Sequence, residues 1–285
     1  MRNDRDPVWL EAQYNNRARV SDHGQVLARW AQASELVRQR SVAHLDVAYG
    51  DGPGETLDLF PTDAPAAPVL IFIHGGYWRS LDKADHSFVA PSFTADGALV
   101  VVVNYALCPA VTVEHIVMQM VHAVSWVWRH AEAYGGDPSR IALAGHSAGA
   151  HLAAMLMCCR WKVVAEDLPA QPLSGALAIS GLYDLEPLRQ TPFVQADLQL
   201  NPASVGRLSP AFFPRPKSGK LYAAVGADES DEFLRQNRLI RDVWGPTAVP
   251  VCETLPGSNH FNVLNSLVDP AGRLHDLALR LLGLR

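Results

Sequence analysis

A serine at the centre of a Gly-His-Ser-Ala-Gly motif, Ser147 in residues 145–149, has the setting of an acyl-transfer nucleophile. An apolar stretch of strand length, residues 141–144, precedes the motif, and mostly small and apolar residues follow it up to residue 159. Glycine on both sides of the serine removes side chains that would clash in a tight strand-to-helix turn. The pattern predicts a nucleophile exposed on such a turn, and it disfavours the alternative of a serine that only caps a helix.

A second glycine-rich motif, His-Gly-Gly-Tyr-Trp at residues 74–78, directly follows another apolar run, residues 69–73. Attack of a serine on a carbonyl creates a negatively charged oxygen, which preorganised N–H donors stabilise. Backbone N–H groups of this loop and of the residue after the nucleophile are suited to that task. The residues predicted to form this oxyanion hole are Gly75, Gly76, Tyr77 and Ala148. We expect His74 to have a structural role.

The chain contains eleven histidines that compete for the role of general base. In enzymes with this kind of nucleophile turn, the acid follows the serine along the chain and the histidine comes last. His260 lies in a loop, residues 256–261, between the last predicted strand and the last predicted helix. The only later histidine, His275, falls inside an amphipathic helix, where a surface role is more common. We therefore predict His260 as the base.

Four carboxylates crowd the segment 226–232, which directly follows a predicted strand. The acid commonly lies three residues after the glycine that ends this strand, which selects Glu229. Asp228 stays open as the alternative, and Asp184, after the preceding strand, is a more distant one. The other two carboxylates are expected in the first turn of the next helix, where the helix dipole favours negative charge; they are Asp231 and Glu232.

The hydrophobic pattern predicts strands in alternation with helices from residue 69 onwards. Apolar runs without polar alternation are typical of parallel strands that are covered on both faces. The predicted strands are 44–49, 56–60, 69–73, 99–103, 141–144, 175–180, 221–225 and 250–255, and the first two should pair antiparallel across a glycine-rich turn. The predicted helices are 113–128, 148–159, 231–244 and 261–282, preceded by two amphipathic helices within 8–40 that are broken near Asp22.

These elements predict an α/β fold with a mostly parallel central sheet and helices on both faces. We interpret residues 1–285 as a single domain in which residues 1–42 form a helical extension. The proline-rich segment 184–216 lies between two predicted strands. It is predicted to be a partial cap over the carboxyl edge of the sheet, where ligands bind in open α/β folds.

The composition excludes several classes of function. The net charge is -5 and basic residues are scattered, so the chain has no basic face for nucleic acid. No apolar run is long enough to cross a bilayer, and the polar residues 1–7 lack the apolar core of a secretory signal. Four cysteines without paired spacing are expected to be reduced thiols of a cytoplasmic protein. The sequence leaves open whether the protein forms a homodimer.

Several motifs together resemble a known family. They are Gln-Tyr-Asn-Asn-Arg at 13–17, Leu-Asp-Leu-Phe at 57–60, the loop 74–78, Asn-Tyr-Ala-Leu-Cys-Pro at 104–109, the serine motif and Glu-Phe-Leu-Arg-Gln at 232–236. The sequence resembles the kynurenine formamidase (arylformamidase) branch of the α/β-hydrolases, which is related to hormone-sensitive-lipase-like esterases. The resemblance extends from Tyr14 to His260. It implies the α/β-hydrolase fold and places Glu229 at the family's acidic position.

The resemblance also implies an activity. The family hydrolyses N-formyl-L-kynurenine to kynurenine and formate and cleaves small aryl esters. The predicted mechanism with serine, histidine and an acid requires no metal or organic cofactor. Aromatic residues predicted to line a pocket for such a small-molecule substrate are Tyr77, Trp78, Tyr183 and Phe212, although most aromatic residues serve packing. A carboxylesterase for small esters remains the alternative activity. A non-catalytic binding protein on the same scaffold is a further alternative, and the complete set of Ser, His and acid argues against it.

Overall fold

The computed structural model describes residues 6–285, which form an eight-stranded sheet flanked by helices. The strands are β1 (His44–Ala48), β2 (Thr56–Phe60), β3 (Ala67–Ile73), β4 (Leu99–Val103), β5 (Gly136–His146), β6 (Leu173–Ile179), β7 (Lys220–Gly226) and β8 (Val251–Leu255). The helices are α1 (Pro7–Tyr14), α2 (Asn16–Arg19), α3 (His23–Arg40), α4 (Ala90–Ala95), α5 (Val113–His130), α6 (Ala148–Met157), α7 (Trp161–Val164), α8 (Glu186–Arg189), α9 (Pro192–Leu198), α10 (Pro202–Leu208), α11 (Asp231–Ala248), α12 (Asn265–Val268) and α13 (Arg273–Leu282). Residues 1–5 of the predicted extension lie outside the described residues.

The strand order is β1-β2-β4-β3-β5-β6-β7-β8. The two N-terminal strands pair antiparallel with each other, β2 pairs antiparallel with β4, and β3 to β8 run parallel. The predicted α/β class, the mostly parallel sheet and the antiparallel first pair are thus confirmed. Because parallel strands end at the same edge, this topology brings the loops after β3, β5, β6, β7 and β8 together.

Each central strand is covered on both faces of the sheet. In β3, Val69, Ile71 and Ile73 pack into one hydrophobic cluster, whereas Leu70 and Phe72 pack into another on the opposite face. Successive side chains of a strand point to opposite faces, so a strand buried on both sides must be apolar throughout. This double burial explains the uninterrupted apolar runs and holds the strand ends rigidly.

The N-terminal extension contains three helices rather than the two predicted. The predicted break near Asp22 is present, because α3 begins at the next residue. A further break lies at Asn15, whose side-chain oxygen accepts a hydrogen bond from Ala18 N at 3.1 Å and so starts α2 directly after α1. Asparagine side chains compete with the backbone in this way and favour helix starts.

The single helix predicted over residues 261–282 is wrong. The chain forms a short 3₁₀ turn, then α12, and only from Arg273 the long amphipathic helix α13. Pro270 has no backbone N–H to continue α12. Gly272 approaches α12 so closely that a Cβ there would lie 2.1 Å from the carbonyl oxygen of Ser266. The break is therefore imposed by close packing of the two helices.

The segment 184–216 is more regular than its proline content indicated. It contains the short helices α8, α9 and α10, each with proline in its first turn, where a missing N–H costs nothing. Helix α1 contacts α8 and α9, and Phe193 N donates a hydrogen bond to the Glu11 carboxylate at 3.2 Å. The N-terminal extension and this segment therefore pack against each other. No helix within residues 6–285 combines the length and apolar character needed to span a bilayer.

Candidate active site

Ser147 occupies the single residue between the end of β5 and the start of α6, as the motif predicts. Its backbone angles are φ 57° and ψ -117°, which a non-glycine residue adopts only under constraint. The constraint comes from the sheet, since Ser147 N donates a hydrogen bond of 2.8 Å to the carbonyl oxygen of Ile179 at the end of β6. The side chain is thereby held at the carboxyl edge of the sheet.

The two glycines of the motif are required by contacts that a side chain would destroy. A Cβ on Gly145 would lie 2.3 Å from the carbonyl oxygen of Gly149, and a Cβ on Gly149 would lie 2.0 Å from that of Ile73. Both distances are far inside van der Waals contact. The glycines thus let α6 start directly against the ends of β3 and β5, which points its N-terminus at the site.

Three side chains form a continuous chain of hydrogen bonds. His260 Nε2 lies 3.1 Å from Ser147 Oγ, and His260 Nδ1 lies 2.6 Å from Glu229 Oε2. Ser147, Glu229 and His260 are all at least nine-tenths buried. The geometry is that of a nucleophile next to a base which is in turn oriented by an acid.

Glu229 is held by more than the histidine. Its second oxygen, Oε1, accepts hydrogen bonds from Gly226 N at 2.9 Å and from Ser180 Oγ at 2.5 Å. A carboxylate with both oxygens occupied has a fixed orientation. Ser180 was not predicted from the sequence; its signal is a polar residue at the end of β6, the strand beside the one that carries Glu229.

The rival acids lie elsewhere. Asp228 is exposed, and its contact with the histidine loop is a backbone hydrogen bond to the carbonyl oxygen of Ser258 at 3.0 Å. Asp184 accepts a hydrogen bond from Glu186 N at 3.1 Å and orders its own loop. Of the three candidates, the structure brings only Glu229 to His260. The two carboxylates predicted for the next helix do lie in the first turn of α11.

His275 is not on the surface, so that expectation is wrong. Its side chain projects from α13 and is fully buried against α12 and the end of α4, with Nδ1 2.9 Å from the carbonyl oxygen of Leu267 and Nε2 2.6 Å from Asp96 Oδ2. Its ring stacks on Phe93 at 4.3 Å between centroids. Burial of the polar face of α13 by neighbouring elements was not visible in the helical periodicity.

The loop after β3 runs close past the serine. A Cβ on Gly75 would lie 3.1 Å from Ser147 Cβ, and Gly76 has a φ of 102°, with Tyr77 also in the left-handed region. Within residues 6–285, the backbone N–H groups of Gly76, Tyr77 and Ala148 donate to no protein acceptor. Amides left unpaired beside a nucleophile are available to a developing oxyanion.

His74 supports this loop from within the core. It is fully buried, its ring stacks on Tyr105 at 4.3 Å, and Nε2 lies 3.1 Å from Asn104 Oδ1. Burial lowers the pKa of His74 below its ordinary value, so the ring is neutral at pH 7. It has no contact with Ser147, which agrees with a structural role.

A cavity of about 490 Å³ opens over Ser147 and His260. Its apolar lining includes Ala18, Leu27, Trp30, Tyr77, Leu81, Phe193 and Phe261, and its polar lining includes Asn15, Asn16, Arg17, His23, Arg79, Ser80 and His146. Apolar walls with a few polar groups are typical of small-molecule sites. Much of the lining comes from the N-terminal extension, whose place at the site was not predicted from the sequence.

Of the four aromatic residues predicted for the pocket, only Tyr77 lines this cavity. Trp78 is fully buried, with its ring edge-on to His151 at 4.9 Å, and Tyr183 is fully buried in the core. Phe212 is 57% exposed on the outer surface. The prediction for these three residues is wrong for the cavity over Ser147, because side-chain direction at the end of an element does not follow from sequence position.

His146 is a further histidine at the cavity. Its Nε2 donates a hydrogen bond of 2.8 Å to the carbonyl oxygen of His260, so it holds the loop that carries the base. Burial, together with the neighbouring His260, lowers the pKa of His146 well below its ordinary value, and the ring is neutral. Within residues 6–285 no group of three His, Cys, Asp or Glu side chains is arranged to hold a metal ion.

Comparison with known proteins places the chain among hydrolases. A kynurenine formamidase of Danio rerio is 32% identical over 263 residues, covering 89% of this chain and 87% of the fish protein. The chain belongs to the kynurenine formamidase family. As a member of it, the protein is an α/β-hydrolase enzyme that acts on a small molecule. The family model BD-FAE also matches residues 57–168, which include the loop 74–78 and the serine motif.

Solved structures show the same fold for this formamidase-family chain. A protein of Silicibacter sp. TM1040 described as a candidate thioesterase superimposes with a TM-score of 0.82 at 29% identity, covering 93% of this chain and 97% of that one. An esterase of Pyrobaculum calidifontis superimposes with a TM-score of 0.68 at 20% identity, covering 91% and 92%. These similarities confirm the predicted α/β-hydrolase fold.

Proposed function

We propose that this protein hydrolyses an aryl formamide, with N-formyl-L-kynurenine as substrate and kynurenine and formate as products. The observation that carries the proposal is the hydrogen-bonded chain Ser147–His260–Glu229 at the floor of an apolar cavity, in a chain whose relatives are kynurenine formamidases. The three side chains belong to one chain, so the proposed chemistry needs no second subunit.

In the first half of the reaction, Ser147 Oγ attacks the formyl carbon while His260 Nε2 takes the hydroxyl proton. Glu229 stabilises the charged imidazole that results and keeps Nδ1 protonated. The oxyanion receives hydrogen bonds from the backbone N–H groups near Gly76 and Tyr77 and from Ala148. His260 then gives its proton to the leaving nitrogen, so the C–N bond breaks and the aromatic amine departs.

In the second half, a water molecule attacks the formyl-enzyme ester. His260 takes a proton from this water, and the second tetrahedral intermediate collapses to formate while the proton returns to Ser147 Oγ. The narrow approach of Gly75 to Ser147 suits a small acyl group, whereas the cavity lined by Trp30, Phe193 and Phe261 suits an aromatic leaving group.

The decisive experiment compares kcat/KM for N-formyl-L-kynurenine and p-nitrophenyl acetate. We expect efficient turnover of the formamide. If the formamide is not hydrolysed while the ester is, the carboxylesterase alternative replaces the proposal; it draws support from the structural similarity to esterases. Labelling with a fluorophosphonate tests serine catalysis itself, whichever substrate is used. A folded protein that stays unlabelled at Ser147 would contradict it.

We also propose that the protein acts in the cytoplasm. All four cysteines, Cys108, Cys158, Cys159 and Cys252, are free thiols, which fits a reducing compartment. Burial raises the pKa of Cys108 and Cys159 to about 11 and that of Cys158 to about 12, so these thiols are protonated and unreactive at neutral pH.

A further inference from the structure

Two neighbouring asparagines at the cavity have opposite hydrogen-bonding states. Asn15 is fully engaged: Oδ1 accepts from Ala18 N at 3.1 Å and Nδ2 donates to Glu11 Oε1 at 2.9 Å. Asn16 is 4% exposed, and its Nδ2 is buried without a hydrogen-bond partner among residues 6–285. A buried amide donor without a partner is costly, so its presence calls for an explanation.

The position of Asn16 supplies that explanation. It lines the catalytic cavity together with Ser147 and His260. It also borders a second cavity of about 310 Å³, of mixed polar lining, on the side of Glu229. Asn16 is therefore the residue of the N-terminal extension that adjoins both the base and the space where a substrate lies.

The backbone that carries Asn16 is held rigidly against the site. Tyr77 of the oxyanion loop donates a hydrogen bond of 2.6 Å to the carbonyl oxygen of Tyr14. The Tyr14 hydroxyl donates to Glu232 Oε2 at 2.7 Å, and Glu232 N donates to Gln13 Oε1 at 3.2 Å. A donor on a fixed backbone is preorganised for one ligand geometry.

Other polar side chains of the cavity are already engaged within the protein. Arg79 pairs with Asp197 and donates to the carbonyl oxygen of Phe193 at 2.9 Å. Ser80 Oγ donates to the carbonyl oxygen of Gly76 at 3.0 Å. His146 donates to the carbonyl oxygen of His260, and Asn15 is engaged as described above. Asn16 is thus a buried donor that a bound molecule can use.

We propose that Asn16 Nδ2 donates a hydrogen bond to an acceptor oxygen on the leaving group of the substrate, so that Asn16 determines specificity for the aromatic amine. The inference rests on the proposed function, in which the leaving group is an aniline with a ketone oxygen ortho to the scissile nitrogen. An enzyme site built around such a donor discriminates strongly against analogues that lack the acceptor, because the donor is then left unpaired.

The test uses Asn16→Leu, which keeps the side-chain size and removes the donor. Two formamides are compared, 2-formamidoacetophenone with the ortho ketone and formanilide without it. We expect kcat/KM for the ketone substrate to fall by about tenfold to 100-fold and that for formanilide by less than about threefold. Equal losses on both substrates would overturn the proposal.

Thermal stability separates this role from a structural one. Replacing an unpaired buried amide by an apolar group should leave the Tm unchanged or raise it. The matched control is Asn201→Leu, which removes the N-cap of α10 and does not touch the lining of the cavity. That variant should lower the Tm while leaving the ratio of the two kcat/KM values unchanged. A lowered Tm for Asn16→Leu together with an unchanged ratio would show that Asn16 only supports the fold.

A pair of esters keeps this test independent of the proposed function. If the wild-type protein hydrolyses neither formamide, the formamidase proposal fails. The same comparison is then made with 2-acetylphenyl acetate and phenyl acetate, which differ in the same ortho ketone. A selective loss on the ketone ester in Asn16→Leu would support the role of Asn16, and an equal loss on both esters would overturn it.

Discussion

Two buried histidines of this protein each pair with a carboxylate at the same distance. His260 Nδ1 lies 2.6 Å from Glu229 at the carboxyl edge of the sheet, and His275 Nε2 lies 2.6 Å from Asp96 where α13 packs against the end of α4. Judged by the pair alone, either region could hold a general base. The regions differ in what the second ring nitrogen contacts.

The second nitrogen of His260 faces a hydroxyl, and that of His275 faces a backbone carbonyl. His260 Nε2 lies 3.1 Å from Ser147 Oγ and borders the cavity, whereas His275 Nδ1 lies 2.9 Å from the carbonyl oxygen of Leu267 in the core. A carbonyl oxygen has no proton to give. The His275 pair therefore ties two helices together, whereas the His260 pair is placed to exchange a proton with a hydroxyl.

The two acids also differ in how firmly they are held. The Glu229 side chain is fully buried and its second oxygen is bound by Ser180 and Gly226, whereas the Asp96 side chain is 36% exposed. A histidine–carboxylate pair thus becomes a candidate catalytic site through its third partner and through the fixed orientation of its acid.

The largest effect is expected from the nucleophile. Ser147→Ala should lower kcat by ~10³ or more while substrate binding is largely kept, because the residual rate comes from the oxyanion hole and binding alone. Steady-state kinetics on the best substrate measure this. His275→Gln is the comparison: it should leave kcat within about twofold and reduce the free energy of unfolding by about 1–3 kcal/mol, since a buried hydrogen bond is lost. A large drop in kcat for His275→Gln would contradict the distinction between the two histidines.

Replacing the carboxylates should also affect kcat very differently at Glu229 than at Asp228 and Asp96. Glu229→Gln should lower kcat by about 10²- to 10³-fold, because an amide does not stabilise the charged imidazole or enforce its tautomer. Asp228→Asn and Asp96→Asn should each change kcat by less than about threefold. The measurement is kcat/KM for all three variants after circular dichroism has shown that they are folded. If Asp228→Asn were the more damaging change, the acid would have to be reassigned.

Replacing Ser180 tests how much the fixed orientation of Glu229 contributes to kcat. Ser180→Ala removes one of the two donors to Glu229 Oε1, so we expect kcat to fall by roughly tenfold, the loss of one charge-assisted hydrogen bond. KM should change little, since Ser180 does not border the cavity. Ser180 has a positive φ of 54°, so the control is Ser180→Gly, which also lacks the hydroxyl but fits this backbone conformation. It should lose as much rate as Ser180→Ala; a rate close to wild type in Ser180→Gly would point to backbone strain instead.

The last prediction concerns stability rather than catalysis, at a buried histidine that has no carboxylate partner among the described residues. His151 of α6 donates to the carbonyl oxygen of Leu208 at 2.7 Å, and burial lowers its pKa to about 4 from 6.5. The unfolded chain binds a proton near pH 6.5 and the folded one near pH 4. The stability contribution is therefore complete above pH 6.5 and is lost as the pH falls toward 4, by up to about 3 kcal/mol.

Urea unfolding at pH 7.0 and pH 5.0 measures this difference. The wild-type protein should lose more stability between the two pH values than His151→Gln, which keeps a donor but does not titrate. An identical loss in both proteins would show that His151 does not contribute to the acid sensitivity.

The residues of the candidate triad could be named from the sequence because their positions depend on local rules. The glycine spacing around Ser147, the acid three residues after the end of β7 and the histidine after β8 each follow from how one strand ends. The oxyanion loop after β3 is predictable for the same reason. Ser180 was missed although it follows the same rule, because a serine at a strand end is common.

The lining of the cavity could not be predicted in this way. Leu27, Trp30 and Asn16 come from helices that precede the sheet and reach the site only because α1, α2 and α3 fold back over the carboxyl edge. Trp78 follows Tyr77 directly, yet it points into the core beside His151. Such directions depend on contacts between elements far apart in the chain.

The sequence alone predicted which groups follow one another along the chain: donors after the first central strand, a candidate nucleophile on a tight turn, then a candidate acid and a candidate base. These properties arise from backbone constraints between near neighbours, which residue type and spacing record. Only the tertiary structure decided that Glu229 rather than Asp228 reaches His260, that His275 is a core residue, and that Asn16 Nδ2 has no partner among the described residues. Those outcomes depend on which atoms packing places within about 3 Å of one another, the range in which hydrogen bonds form.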